Sequence, residues 1–237
     1  LCESGFDLVE AVDFVNEILG EVISLGQQSY SQSGEAKVER QEPVGNLPAA
    51  SGDAEKLTGE GRVDISEQAY IRPLRQGDCD ALSAWREDAE IVASLAKEKL
   101  ERLLESERDW DSRRESADLF AICLKADESI VGMLGFTEID RETGQAEFSK
   151  MIGEPEARGK GLAGKATRTV IDYGFEVLDL NRIYLHTLDG NIKNIRLNQS
   201  LGFKFEGLLQ QAVQIDGRLR DVAIMALLKS QRRSSDG

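Results

Sequence analysis

The sequence predicts an α/β fold in which helices flank a mixed β-sheet. From Tyr70 onward, strand-length apolar runs and stretches of helical spacing follow one another in the order strand, helices, three strands, helix, strand, helix and hairpin. This irregular order excludes a repeating βαβ fold, in which a helix follows every strand. The composition agrees with a globular protein, because 41% of the 237 residues are hydrophobic and 30% are charged. No apolar run approaches the ~20 residues of a membrane-spanning helix.

The first part of this domain predicts one strand, a helical region and three further strands. Each strand is a short run rich in β-branched and apolar residues, and a turn at 141–144 separates the last two. Apolar residues recur at helical spacing over 78–113, which predicts two helices around Ala89. The four predicted strands span 71–74, 119–124, 130–139 and 145–152.

The second part predicts helices that alternate with strands and a final hairpin. Two residues, Asp216-Gly217, form a strong hairpin turn between the last two strands. The expected elements are helices over 161–178 and 191–201 and strands over 183–188, 203–215 and 218–228.

The N-terminal part differs in texture from the rest of the chain. Residues 1–26 predict an amphipathic helix, because apolar residues recur at intervals of three and four until Gly26. Residues 27–68 are rich in Gln, Ser, Gly and Glu and lack periodicity, which predicts a disordered acidic linker. We assign no chemistry to residues 1–68, and the N-terminal helix leaves a homodimer open as an assembly.

The net charge of −14 is concentrated near the N-terminus. Residues 1–68 hold 14 acidic and 4 basic residues, whereas residues 69–237 hold 29 and 25. Neither part carries the excess of basic residues that a nucleic-acid surface needs, so we expect no nucleic-acid partner. An acidic chain instead favours a cationic substrate, although salt screens such attraction beyond ~8 Å.

Cysteine and histidine usage excludes several kinds of site. Three cysteines without CxxC spacing argue against a disulfide framework or a zinc site and favour a reducing compartment. The first residues include Glu3 and Asp7 and no basic stretch, so we expect no secretory signal and a cytoplasmic location. The single histidine, His186, excludes a multi-histidine metal centre, and we expect no metal.

A glycine-rich segment between a predicted strand and a predicted helix is the strongest functional signal. Glycines there let backbone N–H groups turn toward an anion, and the helix N-terminus adds a partial positive charge. Gly159, Gly161 and Gly164 spell GxGxxG, but a dinucleotide site needs an acid about 20 residues after the last glycine, where this chain has Arg182 and Tyr184. The segment also nearly spells a P-loop, but Ala166 stands where Ser or Thr would hold magnesium. Both nucleotide interpretations are therefore the weaker ones.

A third pattern, Arg-x-x-Gly-x-Ala over 158–163, resembles the phosphate-binding loop of the GNAT acyltransferase superfamily. Three further segments extend the resemblance. Asn191 opens a segment similar to the N-x-x-(A/S)-I-x-L…G-F helix of the same family. The sequence at 85–88 resembles the Trp-Arg-Asn-Asp-like box of its RimJ/RimL-like branch, and residues 206–222 resemble the terminal hairpin of that branch. The resemblance covers about residues 69–229 and implies a GNAT domain over 69–231, with a central, mostly antiparallel sheet and flanking helices.

The resemblance implies transfer of acetyl from acetyl-CoA to a small-molecule or peptide amine. In that family the loop wraps the coenzyme's diphosphate with backbone N–H groups, and the strand before it pairs with the pantetheine arm. A backbone N–H near Met151 and Ile152 is expected to polarise the thioester carbonyl. Asn191 is expected to contact the pantetheine, to cap its helix, or both. The coenzyme-binding residues implied are Met151, Ile152, Arg158, Gly159, Lys160, Gly161, Leu162, Ala163, Gly164, Asn191 and Asn194.

Three residues are candidates for proton transfer. Glu147 resembles the strand carboxylate of the family and is the candidate general base. His186 is its rival, because histidine is the side chain that ordinarily titrates near neutral pH. Many family members carry Tyr as general acid where this chain has Asn198. A coenzyme thiolate is a good leaving group without such an acid, and Ser200 is a further candidate that would act through a water.

The lack of one clear general base favours an acceptor that loses its proton easily. Deprotonating an α-amine at pH 7 costs about 1 kcal/mol, against about 4–5 kcal/mol for a lysine-like amine. The expected acceptors are therefore a protein N-terminus or a nucleotide-linked amino sugar, both of which are acetylated by proteins that this chain resembles. The alternative function is a non-catalytic acyl-CoA-binding or regulatory module.

Overall fold

The computed structural model describes residues 54–58, 61–85, 88, 91, 117–215 and 217–232. The predicted N-terminal helix, most of the predicted linker and most of the helical region around Ala89 lie outside these residues. Within them, eight strands form one sheet. The strands are β1 Val63–Asp64, β2 Ala69–Pro73, β3 Asp118–Leu124, β4 Ile130–Asp140, β5 Gln145–Ile152, β6 Arg182–Leu188, β7 Lys204–Ile215 and β8 Arg218–Leu228.

Three α-helices accompany the sheet in the described part of the chain. They are α1 Cys79–Ala84, α2 Leu162–Glu176 and α3 Ile192–Ser200. None of the helices in these ranges is long and apolar enough to cross a membrane. Short 3-10 turns occupy Glu55–Leu57, Gln76–Asp78, Pro155–Ala157 and Lys229–Gln231.

The sheet is mixed and mostly antiparallel, as the sequence predicts. The strand order is β1-β2-β3-β4-β5-β6-β8-β7, and β5 and β6 are its one parallel pair among the described strands. A parallel pair needs a crossover connection, and α2 supplies it between β5 and β6. The register of this pair decides where the functional site lies.

Both faces of the sheet are covered, which explains why its central strands are apolar runs rather than alternating sequences. A larger core includes Val170 and Ile171 of α2, which are fully buried together with Phe136 of β4. A smaller core surrounds Leu82 and Trp85 and includes Met133 and Met151 of the central strands. Because side chains alternate along a strand, residues of β5 contribute to both cores.

The predicted linker ends earlier than the composition indicates. Its last part, expected to be disordered up to residue 68, contains the turn Glu55–Leu57 and strand β1. Ala54 and Leu57 are only 1% and 2% exposed and belong to the larger core. The prediction was wrong here because single apolar residues in a polar segment, such as Val63, produce no periodicity to detect.

A gap opens in the middle of the sheet because the parallel pair is short. β5 and β6 pair only where Gln145 to Glu147 face Arg182 to Tyr184. Beyond this point β5 continues along β4 to Ile152, while β6 continues along β8. The two strands therefore diverge, and the end of β5 leads toward the N-terminus of α2.

Candidate functional site

The gap between β5 and β6 forms a cleft of about 160 Å³. Residues 148–151 of β5 and 185–187 of β6 line it, and residues of α3 and the first turn of α2 complete its walls. Concave sites of this kind, apolar with a few converging polar groups, are where proteins bind small molecules. The remaining lining residues are Ala163, Asn191, Asn194 and Leu197.

The glycine-rich loop between β5 and α2 presents backbone N–H groups to solvent. Gly159 and Gly161 have φ values of +75° and +74°, a region that favours glycine, and a Cβ at either position would meet nothing within 4 Å. Gly161 is the N-cap of α2 and has no side-chain capping bond. The N–H groups of the first helical turn, from Leu162 to Gly164, therefore lack intrahelical partners. Because Ala163 in this turn also lines the cleft, the loop can hold an anion at one end of it.

Arg158 fixes the shape of this loop. Its guanidinium donates to the carbonyls of Ile152 and Gly153, at 3.2 and 2.8 Å, and pairs with Asp88 at 2.9 Å. The sequence predicts a charge for the diphosphate at this position, and the structure shows that the same charge holds the loop to the end of β5. Lys160, the second predicted base, is exposed in the loop.

Trp85 also contacts the loop. Its indole Nε1 donates to Glu154 at 2.9 Å. Its ring packs so closely on Gly153 that a Cβ there would lie 1.9 Å from a ring atom. Trp85 and Asp88, which belong to a separate motif in the sequence, therefore both contact the loop segment.

The cleft-facing edge of β5 offers backbone groups to an extended ligand. The N–H of Gly153 donates to Val131 on β4 at 2.9 Å, so strand alternation directs the N–H of Met151 toward β4 as well. The N–H groups of Lys150 and Ile152 point to the opposite side, toward the cleft. Of the two residues expected to polarise a thioester carbonyl, Ile152 thus has its N–H on the cleft side and Met151 does not.

The two predicted rival bases form a hydrogen-bonded pair. Nδ1 of His186 lies 2.8 Å from Oε1 of Glu147. The parallel register causes this contact, because Glu147 pairs with Tyr184 and His186 follows two residues later on the same face. Glu147 is only 5% exposed, whereas the side chain of His186 is 32% exposed and lines the cleft. The imidazole therefore reaches the solvent side of the pair, and the carboxylate supports it from within.

A second carboxylate lies near this pair. The hydroxyl of Tyr184 donates to Oε2 of Glu138 at 3.1 Å, and the Tyr184 ring packs edge-on against His186 with centroids 5.8 Å apart. Burial, together with the negative charge of Glu138, raises the pKa of Tyr184 to about 12, so its hydroxyl remains a donor. Glu138 is exposed and has a φ of +51° at an irregularity in β4. Such backbone strain in a non-glycine residue is typical of functional sites.

The first residues of α3 form another part of the cleft wall. The side-chain oxygen of Asn191 accepts the N–H of Asn194 at 3.3 Å, which is a helix N-cap, as the sequence predicts. The amide of Asn194 donates to the hydroxyl of Thr187 at 3.0 Å. All three residues line the cleft, so a ligand bound there could reach Asn191 and Asn194, the two predicted contacts.

Ser200, the third candidate for proton transfer, is not brought to the cleft. It is exposed at the end of α3, and its hydroxyl donates to the carbonyl of Leu197 at 2.7 Å. This bond satisfies one of the last carbonyls of the helix. The position favours a role in ending the helix.

A family model of the acetyltransferase (GNAT) domain matches residues 68–204, which include β5, the loop, α2, β6 and α3. The chain belongs to the GNAT acetyltransferase family. The prediction of an N-acetyltransferase with a GNAT fold is thereby confirmed, and the loop is interpreted in GNAT terms rather than as a nucleotide site.

The chain covers nearly the whole length of several relatives within the GNAT family. An uncharacterized N-acetyltransferase p20 of Bacillus licheniformis is 32% identical over 176 residues, which are 70% of this chain and 96% of the relative. The spermidine N(1)-acetyltransferase of Vibrio cholerae is 30% identical over 168 residues, again 70% and 96% of the two chains. A solved structure of spermidine N-acetyltransferase from Vibrio cholerae, in complex with CoA and spermine, matches with a TM-score of 0.60 at 28% identity and covers 70% of this chain and 99% of that one.

Sequence reasoning missed one charged residue in the cleft of this GNAT domain. Lys150 lines it, and its ammonium donates to the side-chain oxygen of Asn198, which is fully buried in α3. The signal was present, because a lysine within a strand buried on both faces needs a partner.

Among the described residues, no group of three or more His, Cys, Asp or Glu is arranged to hold a metal ion.

Proposed function

We propose that the cleft between β5 and β6 binds acetyl-CoA and that the Glu147–His186 pair serves transfer of the acetyl group to a primary amine. One observation carries the proposal: a hydrogen-bonded carboxylate–imidazole pair lies at a cleft whose other end is an uncapped, glycine-rich helix N-terminus. The first element suits a base and the second suits a diphosphate. A linear coenzyme would connect the two.

The loop would hold the diphosphate with backbone N–H groups from Gly159 to Gly164, because the N–H of Arg158 donates to the carbonyl of Pro155 at 3.1 Å. The open space at Gly159 and Gly161 supports this, because oxygen atoms can approach the backbone where a Cβ would otherwise stand. The pantetheine arm would then extend along β5, whose cleft-side N–H groups favour pairing with an added amide chain. The N–H of Ile152 is the candidate donor to the thioester carbonyl.

The pair would act with His186 as the base and Glu147 as the group that orients it. Because a carboxylate accepts hydrogen bonds, its contact assigns the ring proton to Nδ1 and leaves Nε2 to accept a proton from the amine. As the amine attacks, its proton moves to Nε2, and the buried carboxylate stabilises the resulting imidazolium. This arrangement unites the two candidates that the sequence treats as rivals.

The acceptor that the site supports best is a cationic amine of the polyamine class. Glu138 and Glu147 place two carboxylates around Tyr184 on the face of the pair, and carboxylates attract an ammonium group. The sequence argument against a lysine-like amine was the cost of removing its proton. A histidine base that is oriented by a carboxylate weakens that argument. The relative from Vibrio cholerae is named for spermidine, and its solved structure contains spermine.

The protein N-terminus and the nucleotide-linked amino sugar remain the competing acceptors. The segments at 85–88 and 206–222 favour a RimJ/RimL-like branch, which includes acetyltransferases of protein N-termini. Cysteine usage favours a cytoplasmic location, and Cys123 is a free, buried thiol.

A titration followed by an amine panel tests this function. Isothermal titration should show acetyl-CoA binding with one site per chain. Thiol release should then be measured with spermidine, with a peptide bearing a free N-terminus and with a nucleotide-linked amino sugar. We expect the highest kcat/KM with spermidine. Preference for either other amine would overturn the acceptor class, and acetyl-CoA binding without turnover on any amine would favour the non-catalytic acyl-CoA-binding module.

A further inference from the structure

We propose that the ammonium group of Lys150, oriented by Asn198, stabilises the thiolate that leaves when the acetyl group is transferred. This inference rests on the proposed function, because it requires the coenzyme arm to lie in the cleft. It assigns Lys150 to the reaction and Asn198 to the positioning of Lys150. From the sequence, Asn198 is notable only because it stands where many family members carry Tyr as general acid.

Strand geometry places Lys150 opposite the base. Lys150 follows Glu147 by three residues on β5, and successive side chains of a strand point to opposite faces. Glu147 therefore lies on one face of the sheet with His186, and Lys150 lies on the other face with α3. Both His186 and Lys150 line the same cleft. A thioester that crosses the gap would thus meet the amine and its base on one side and a cation on the other.

Asn198 holds the ammonium group at this position. Asn198 is 0% exposed, and its side-chain oxygen accepts from Nζ of Lys150. Its Nδ2 is buried without a hydrogen-bond partner in the described part of the chain. An apolar residue would avoid this cost, so the amide is best explained by its contact with the lysine. The Phe148 ring lies 5.3 Å from Nζ, which further restricts the ammonium group.

The chemistry of thioester cleavage calls for a cation here. When the amine nitrogen bonds to the carbonyl carbon, the C–S bond breaks and its electron pair moves to the sulfur. The amine proton moves to His186 and then to water, so the sulfur leaves as a thiolate with one negative charge. The ammonium group of Lys150 would donate a charged hydrogen bond to this thiolate.

Two ligands that differ only at the sulfur test this role. Isothermal titration should compare CoA with desulfo-CoA at about pH 9, where the thiol of CoA is largely ionised. The variants are Lys150→Met, which keeps the chain length and removes the charge, and Lys204→Met as a control at an exposed lysine of β7 outside the cleft lining. Thermal unfolding should establish that both variants are folded.

The expected result is selective for the sulfur. Lys150→Met should weaken CoA binding by about tenfold or more, as expected for loss of a charged hydrogen bond, and leave desulfo-CoA binding within about twofold. Its kcat should fall while KM for acetyl-CoA changes little, and Lys150→Arg should recover part of the kcat. Equal losses for both ligands, or no loss for either, would overturn this inference alone. If neither ligand bound the wild-type protein, the proposed function would fail as well.

Discussion

In the proposed mechanism, the carboxyl group of Glu147 acts through the imidazole that it contacts. Its 5% exposure separates it from solvent, whereas His186 reaches the cleft and lies 2.8 Å away. A buried carboxylate beside an imidazole fixes the ring orientation and stabilises its protonated form. Replacing either of the two residues should therefore reduce turnover.

Replacing Glu147 by Gln tests this coupling. The amide can keep a hydrogen bond to Nδ1, but it cannot stabilise an imidazolium by charge, so kcat should fall by about 100-fold or more. KM for acetyl-CoA should stay within about twofold, because the coenzyme contacts lie elsewhere in the cleft. Steady-state kinetics on the variant provides the measurement, with Glu142→Gln in the exposed turn after β4 as the matched control. Wild-type turnover in Glu147→Gln would reassign this carboxylate to a structural role.

His186→Ala separates the base from the residue that supports it. If the imidazole accepts the amine proton, free imidazole added to this variant should restore part of kcat, since the missing ring leaves space beside Glu147. The same addition should not affect Glu147→Gln, in which the ring is present. Lack of rescue combined with high residual turnover would make Glu147 the base by itself.

At the scale of elements, the loop and the first turn of α2 are the proposed binding site for the coenzyme's diphosphate. Gly161→Glu places a carboxylate where the diphosphate is proposed to bind, so the affinity for CoA should fall below detection in a titration. Gly217→Glu is the matched control, because Gly217 has a φ of +72° and equally open surroundings in the last hairpin. Both changes add similar backbone strain of about 1–2 kcal/mol. Unchanged CoA affinity in Gly161→Glu would refute this placement.

The opposite end of α2 carries a carboxyl whose charge costs stability. Burial raises the pKa of Asp172 to about 6, and this outweighs the attraction of Arg232, 2.7 Å away after β8. The folded chain therefore binds more protons than the unfolded chain between the ordinary value of 3.8 and about 6. The free energy of unfolding should fall as pH rises through this window, by about 3 kcal/mol from this group.

Asp172→Asn removes the titrating group and reveals its contribution. Urea unfolding of both proteins at about pH 4 and pH 7 should show the variant gaining up to about 3 kcal/mol relative to wild type at the higher pH. Arg232 keeps Glu176 as a partner at 2.7 Å in the variant. Parallel pH profiles for the two proteins would contradict the raised pKa.

Strand and helix positions in the domain could largely be predicted, because each has a local signal. The predicted strand over 145–152 coincides with β5, and the helix over 161–178 differs from α2 by a residue or two at its ends. Strand β1 has only two residues and no pattern, so it was missed. The contacts of the site were also out of reach, because the pairing of Glu147 with Tyr184 depends on register between distant segments.

At the scale of the whole molecule, the divergence of two central strands organises the site. The open edges of β5 and β6 bring together the loop before α2, the N-cap of α3 and the imidazole of His186 on the opposite face. Only the loop and the N-cap of α3 have local sequence signatures, which can be recognised without knowing which residues lie beside them in the fold. The proposed role of Lys150 depends on its contact with Asn198, 48 residues away in the chain, and that contact exists only in the folded protein.

A crystal structure of the wild-type protein with saturating CoA tests the central claim most directly. The diphosphate should lie against the backbone N–H groups of 159–164, with the pantetheine arm between β5 and β6 and the sulfur between His186 and Lys150. Coenzyme density at another surface of the protein, with the cleft empty, would contradict this account.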